Sequence, residues 1–431
     1  MFSLFFYAWG EPILVVLMLS TTFVTYLGGQ AIGKYQQYKS PILFITLCIL
    51  LGSLAYYKYG NFFVDNVNSW FGVNLDRIHF GLPLGISFYV FQAVSYLMDL
   101  YRKEVEPQKN YFKLTLYISL FPQLIAGPIV RYSTINDELE DRTSSLDDVV
   151  VGIKRFIVGL AKKVVIANQV GYFVDDIFAL DYSELSIGLA WLGSLLYILQ
   201  IYFDFSGYSD MAIGLGRVFG FHFDENFIFP YMSTSVQEFW RRWHISLGSW
   251  FRDYLYIPMG GSRVGPLRLY FNLFVLFLLV GFWHGASWNF ILWGLYFGVF
   301  LTIEQLGLKK LLDRCPSVFG HVYLIGLLGF GVPLFRVEEL PKCFEYMSTL
   351  LGNGSSKFTV DLYPYGLMWV VIVLGVILST DLPQKFLIKM EKKSDSPFVF
   401  WGISLFYFSL LLICLALILS STYNPFIYFR F

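Results

Sequence analysis

The amino-acid sequence predicts an all-α integral membrane protein with about ten to twelve transmembrane or re-entrant helices. Three observations predict it. Hydrophobic residues make up 56% of the 431 positions and charged residues only 14%, whereas a soluble surface needs roughly a quarter charged residues. Nine stretches run free of Asp, Glu, Lys and Arg: 12–33, 40–57, 78–98, 114–130, 185–203, 269–303, 315–335, 362–380 and 396–429. Aromatic residues reach 20%, with 45 Phe, and membrane proteins use such rings at both interfaces and in their packing.

A helix needs about 20 apolar residues to cross a bilayer core of about 30 Å, and most of these runs meet that length. Residues 1–20 lack a basic n-region and a small-residue cleavage site, so they read as a retained first span rather than a signal peptide. The 35-residue run 269–303 is different. One helix of that length would measure about 52 Å, and two full spans need about 40 residues. It reads as a helical hairpin of slightly short arms, with its tip near Gly281 and Gly285 inside the membrane's depth. More hydrophobic sequence, carrying some charge, lies at 149–178 and 207–230. No repeat and no low-complexity linker is present, so residues 1–431 form a single domain.

Lys34 and Lys39 follow the first run, and Arg102, Lys103, Lys109 and Lys113 follow the third. The positive-inside rule then puts the N-terminus outside and both loops in the cytoplasm. Segment 237–268 carries Arg241, Arg242, Arg252, Arg263 and Arg268 against Glu238 and Asp253, and joins them. The C-terminal orientation depends on the span count and stays open. Zero net charge argues against a nucleic-acid partner, which needs a basic field. Cys48, Cys315, Cys343 and Cys414 form no CxxC pair, so neither zinc nor redox chemistry is indicated. Cys48 and Cys414 read as small core residues. His222 with Asp224 and Glu225 makes a poor metal site, and no metal is expected. His79 and His321 fall near run ends, as interfacial residues would.

Four segments carry chemistry. In 238–252, helical spacing puts Trp240, Trp243, Leu247 and Trp250 on one face and Arg241, His244 and Gly248 towards another. That is either an interfacial anchor or a site where His244 and the arginines take a phosphate-bearing thioester. In 281–288, His284 falls on a buried turn, where an ionisable side chain is a functional hypothesis by default. Desolvation favours the uncharged ring, which can accept a proton as general base towards a hydroxyl attacking an acyl carbonyl. Ser287 and Asn289 are candidate oxyanion donors by type. The bland alternative is a histidine satisfied by a backbone carbonyl.

In 203–217, Asp204 and Asp210 sit among Gly, Ser and Tyr, as in a re-entrant turn where an aspartate caps a helix; direct catalysis is the alternative. No GxGxxG follows a strand, and Ser206 lies outside any GxSxG. In 121–131, two prolines interrupt an apolar run, giving a broken helix that lines a cavity or a mere kink.

At these residues the sequence resembles the membrane-bound O-acyltransferase (MBOAT) superfamily, in its bacterial alginate O-acetyltransferase-like branch. The matching stretches are FPQLIAGPIVRY (121–132), YFDFSGYSDMAIGLGRVFGF (202–221), ENFIFPYMSTSVQEFWRRWHISLGSWFRDYLYIPMGGSR (225–263) and GFWHGASWNFILWGLYFG (281–298), a core of 121–298. LFR (334–336) and FIYFRF (426–431) look like further family features. The resemblance implies an irregular ring of helices around a central tunnel, with His284 catalytic and His244 a second important position. Arg241, Arg242, Trp240 and Trp243 become candidate substrate-binding residues.

It also implies a multi-pass protein of the bacterial cytoplasmic membrane that binds no permanent cofactor. Acetyl-CoA, or an acyl-carrier thioester, would donate from the cytoplasm. An extracytoplasmic SGNH-type acetyltransferase or a polysaccharide would accept. Peptidoglycan O-acetylation and D-alanyl transfer to teichoic acid are alternatives within the family. Rivals from other classes are a non-catalytic scaffold and a proton-coupled secondary transporter relaying protons through Asp204, Asp210 and His284. Transporters usually carry internal repeats, however, and the strongest segments here have no counterpart in the other half.

Overall fold

In a lipid interior every backbone N–H and C=O must be satisfied within the segment, so long apolar runs fold as helices. The computed structural model describes residues 1–79, 81–354, 366–391 and 396–421, and no β-strand occurs among them. Among the described residues seven helices are long and apolar enough to cross a membrane: Val15–Lys34, Gln36–Phe71, Ile187–Val218, Pro266–His284, Trp288–Leu312, Ser317–Arg336 and Pro397–Ser420. The pair Met368–Leu378 and Leu382–Met390, bent by 75°, would make an eighth. The protein is an all-α, multi-pass integral membrane protein.

The spans do not match the runs one to one: run 269–303 yields two, run 362–380 only the bent pair, and two runs, 78–98 and 114–130, break and yield no long span. In run 78–98 residues 81–85, with Pro83 and Gly85, are non-helical, and the helix is Ile86–Arg102, 17 residues and almost wholly buried. Gly85 has φ +72°, and a Cβ there would lie 2.6 Å from the Leu124 carbonyl oxygen, so a side chain is excluded twice over. Run 114–130 stops at Leu120, which is extended (φ −61°, ψ 110°), and restarts as the short helix Phe121–Leu124. Pro122 sits in that first turn, where its missing N–H costs nothing. Residues 362–365 of run 362–380, and the end of run 396–429 with the FIYFRF segment, lie outside the described residues. Cys48 is exposed and Cys414 buried, so the reading of Cys48 as a core residue is corrected: it faces out of the bundle.

The expected break in 203–217 is also corrected. Ile187–Val218 is a 32-residue helix without interruption. Its small residues serve close packing instead. Gly207 and Gly214 press on Gly159 and Gly152 of the helix Leu146–Ala161: a Cβ on Gly159 would lie 2.5 Å from the Gly207 oxygen, and one on Gly214 2.6 Å from the Gly152 oxygen. The two main chains touch. Asp204 and Asp210 cap nothing. Asp204 pairs with Lys163 at 2.6 Å, and Asp210 with Arg155 at 2.8 Å and Lys162 at 2.6 Å. This riveted pair of helices forms one wall of the interior.

Candidate active site

The uncharged run 269–303 does fold back on itself. Pro266–His284 and Trp288–Ile303 pack against each other, and 285–287 make the turn, with Gly285 extended at φ −169°. Gly281 is not at the tip, as the sequence suggested; it lies inside the first arm. There a Cβ would collide with the Phe290 carbonyl and come within 3.0 Å of the Gly294 Cα. The arms also exceed the expected short length, because Pro266–Arg268 and 304–312 extend them past the uncharged run.

His284 is the last residue of the first arm and 6% exposed. Its ring stands edge-on to Trp283 and Trp293, with centroids 5.0 Å away in each, and to Phe335 at 5.3 Å. The ring is nevertheless not sealed in. On one side is an aromatic cavity of about 600 Å³, walled by Ile201 and Phe205 of the Ile187–Val218 helix and by Trp240, Trp243, Trp293 and Phe335. On the other is a cavity of about 610 Å³ lined by Lys58, Leu84, Ser87, Ile125 and Trp283. His284 lines both. Ile125 comes from the proline-broken segment 121–131, which therefore does line a cavity. A third cavity, about 870 Å³, adjoins the turn and is lined by Lys58, Ser287, Asn289, Arg336 and Glu338.

Sequence reasoning passed over Lys58, which looked like the charge ending run 40–57. It lies inside the Gln36–Phe71 span, in a π-helical turn at Ala55–Tyr59. Its ammonium donates to the Trp283 carbonyl at 2.5 Å and to Ser87 Oγ at 3.1 Å, while the Tyr59 hydroxyl donates to the Phe282 carbonyl at 3.0 Å. Carbonyls in the last turn of a helix lack intrahelical donors, and these two side chains supply them for the helix that ends in His284.

The 238–252 segment differs from the single amphipathic helix expected. Val236–Arg242 and Ile245–Phe251 are separate helices, broken at His244, whose φ is +45°. Residues 226–228 hold the break open: Ile228 N–H donates to the Arg242 carbonyl at 2.9 Å and Ile245 N–H to the Asn226 carbonyl at 3.0 Å. The Trp face looks inward, with Trp243 and Trp250 buried. His244 is 2% exposed rather than on a polar face, and burial pushes its imidazole down to about 3. Its Nδ1 donates to Asn226 Oδ1 at 3.2 Å. Asn226 in turn accepts from Ser246 Oγ at 2.9 Å and donates to Ser209 Oγ at 3.1 Å. His244 and His284 both meet Trp283 edge-on, His244 with centroids 6.0 Å apart, so one indole links the two histidines.

Against known families, residues 90–311 match the profile of the membrane-bound O-acyltransferase family, and that stretch holds both histidines. The chain belongs to the membrane-bound O-acyltransferase family. Among the relatives of this acyltransferase, a probable alginate O-acetylase AlgI from Azotobacter vinelandii is 42% identical over 82% of the chain and 72% of the relative. A peptidoglycan O-acetyltransferase from Helicobacter pylori is 36% identical over 82% of the chain and 73% of the relative. A teichoic acid D-alanyltransferase from Bacillus subtilis is 32% identical over 51% of the chain and 58% of the relative.

The acyltransferase's remaining candidate residues divide by location. Trp240 and Trp243 share the aromatic cavity with His284. Arg241 is exposed, and Arg242 pairs with Glu238 at 2.8 Å. Ser287 and Asn289 line the third cavity rather than either cavity that His284 lines, and Asn289 Nδ2 donates to the Val337 carbonyl at 2.5 Å. Asp204 and Asp210 line none of the three. His222 Nδ1 lies 2.7 Å from Glu138 Oε1, and no group of three or more His, Cys, Asp or Glu able to hold a metal occurs among the described residues.

Proposed function

We propose that this acyltransferase takes acetyl groups from cytoplasmic acetyl-CoA and passes them through the bacterial cytoplasmic membrane for O-acetylation of an exported polysaccharide such as alginate. One observation carries the reading: a single imidazole forms part of the wall of two cavities, so a thioester in one and a hydroxyl in the other can meet at it. Cavities of several hundred Å³ lined by rings with a few polar groups suit an acyl chain and its carrier. His284 acts as general base on the attacking hydroxyl. His244 holds Trp283, and through it the setting of His284. Arg241, exposed and on the short helix beside Trp240, supplies a cation for the donor's phosphates, whereas Arg242 is already engaged by Glu238.

The acceptor hydroxyl belongs to the glycan or to an extracytoplasmic SGNH-type acetyltransferase that modifies it. Peptidoglycan O-acetylation is the second reading, supported by the 36% identical relative. A proton relay through Asp204 and Asp210 has no support from their positions, because both are held in ion pairs away from His284's cavities. The test is the ester-linked acetate on surface glycan in cells producing wild-type or His284→Ala protein at equal membrane abundance. The variant is expected to abolish acetylation; near-normal acetylation would refute the assignment.

A further inference from the structure

We propose that Lys58 and the indole N–H of Trp283 together stabilise the oxyanion formed when the acyl carbonyl is attacked at His284, an inference that rests on the acyl-transfer reading above. Acyl transfer needs donors aimed at the oxygen that becomes negative, close to the general base. Lys58, Trp283 and His284 all line the same 610 Å³ cavity.

Two independent features mark these donors as built for a ligand. The first is Lys58 itself. An ammonium within a membrane span pairs with a carboxylate or with backbone carbonyls; Lys58 has no carboxylate, and its two partners are neutral, a hydroxyl and a backbone carbonyl. Those two use two of its three N–H donors. The second is Trp283, which is 4% exposed and whose Nε1 has no hydrogen-bond partner among the described residues. A buried indole N–H usually finds one. The Lys58 ammonium lies 5.4 Å from the Trp283 ring centroid, so the two side chains are neighbours in that cavity wall. Ser287 and Asn289, the donors suggested by residue type, face a different cavity.

The step balances without any further reactant. His284 takes the proton of the acceptor hydroxyl as the C–O bond forms, and the carbonyl π electrons move onto oxygen, where Lys58 and Trp283 donate to it. The C–S bond then breaks, the carbonyl is restored, and the departing thiolate takes the proton from the imidazolium. The competing explanation is that Lys58 only caps the helix, as Tyr59 does one carbonyl earlier.

The experiment compares Lys58→Met, Trp283→Phe, Tyr59→Phe and His284→Ala in the full chain reconstituted in phospholipid nanodiscs. It reads thiol release from acetyl-CoA alongside glycan acetate in cells. The first two variants should lower kcat about 100-fold or more, the loss typical of one oxyanion donor, with KM for acetyl-CoA within about twofold. Tyr59→Phe, which disturbs only a cap, should stay within about threefold. If Lys58→Met fails to accumulate in the membrane, Trp283→Phe decides alone, since it keeps an aromatic side chain at that position and loses the donor. The proposal is overturned if Lys58→Met and Trp283→Phe keep near-normal kcat, or raise KM instead, while His284→Ala is inactive. An active His284→Ala would sink the acyl-transfer reading itself.

Discussion

Gly281→Ala probes whether the hairpin's backbone contact sets the position of His284. An added Cβ would lie 3.0 Å from Gly294 Cα and 3.1 Å from Gly294 N, besides its collision with the Phe290 carbonyl. Carbon atoms in contact prefer about 3.5–4.0 Å, so the arms must part by at least about 0.5 Å. No obstacle is a side chain that can turn away. Overpacking of this kind costs about 1–3 kcal/mol. His284 follows within one turn of the same helix, and a misplacement of about 1 Å can cost about 100-fold in rate. We expect turnover to fall by about 10- to 100-fold, with a lower melting temperature in detergent. Gly298→Ala is the control on the same pair of helices. Its Cβ would meet the Phe277 Cβ at 3.2 Å, a milder contact that a shift of a few tenths of an ångström relieves and that lies farther from His284, so activity should stay within about threefold of wild type. Wild-type melting and turnover in Gly281→Ala would refute the argument.

The ion pair between Lys163 and Asp204, with side chains 11% and 3% exposed, makes a second prediction. Lys163→Met should destabilise the fold by about 3–5 kcal/mol by leaving a buried carboxylate without its cation, and adding Asp204→Asn should recover much of the loss; thermal melting of both variants checks it. A third concerns acid. Burial lowers His244 from its ordinary value to about 3, so its contribution to stability is complete above the unfolded value of about 6.5. That contribution is lost as pH falls towards 3, because the unfolded chain binds a proton that the folded chain refuses. Between pH 8 and 5 the melting temperature should drop in wild type and drop less in His244→Gln. Equal drops would count against this account of His244.

Parts of this architecture were legible because they depend on neighbours in sequence. The length of run 269–303 is too great for one span and too small for two, and that arithmetic alone predicts a turn beside His284. Other parts depend on residues far away. Gly207 and Gly214 read equally well as a break or as a packing face, and the choice is made by Gly152 and Gly159 on the facing helix. The periodicity of 238–252 is helical throughout, but hydrogen bonds from 226 and 228 hold a left-handed residue at its centre. Lys58 looked like the end of a span because the following twelve residues, Gly60–Phe71, carry polar groups yet continue the helix. Its partner at residue 283 has no local signature.

The contact between Ile187–Val218 and Leu146–Ala161 bears on how a bulky donor gets in. Main chains that meet glycine to glycine, clamped by four ion pairs, resist sliding and rotation against each other, so the pair behaves as one stiff plank. Ile201 and Phe205, on that plank, are a fixed jamb. If a thioester enters the aromatic cavity as proposed, the parts that yield belong to the facing leaf, where Trp240 meets Trp293 and Trp293 meets Phe335 ring to ring.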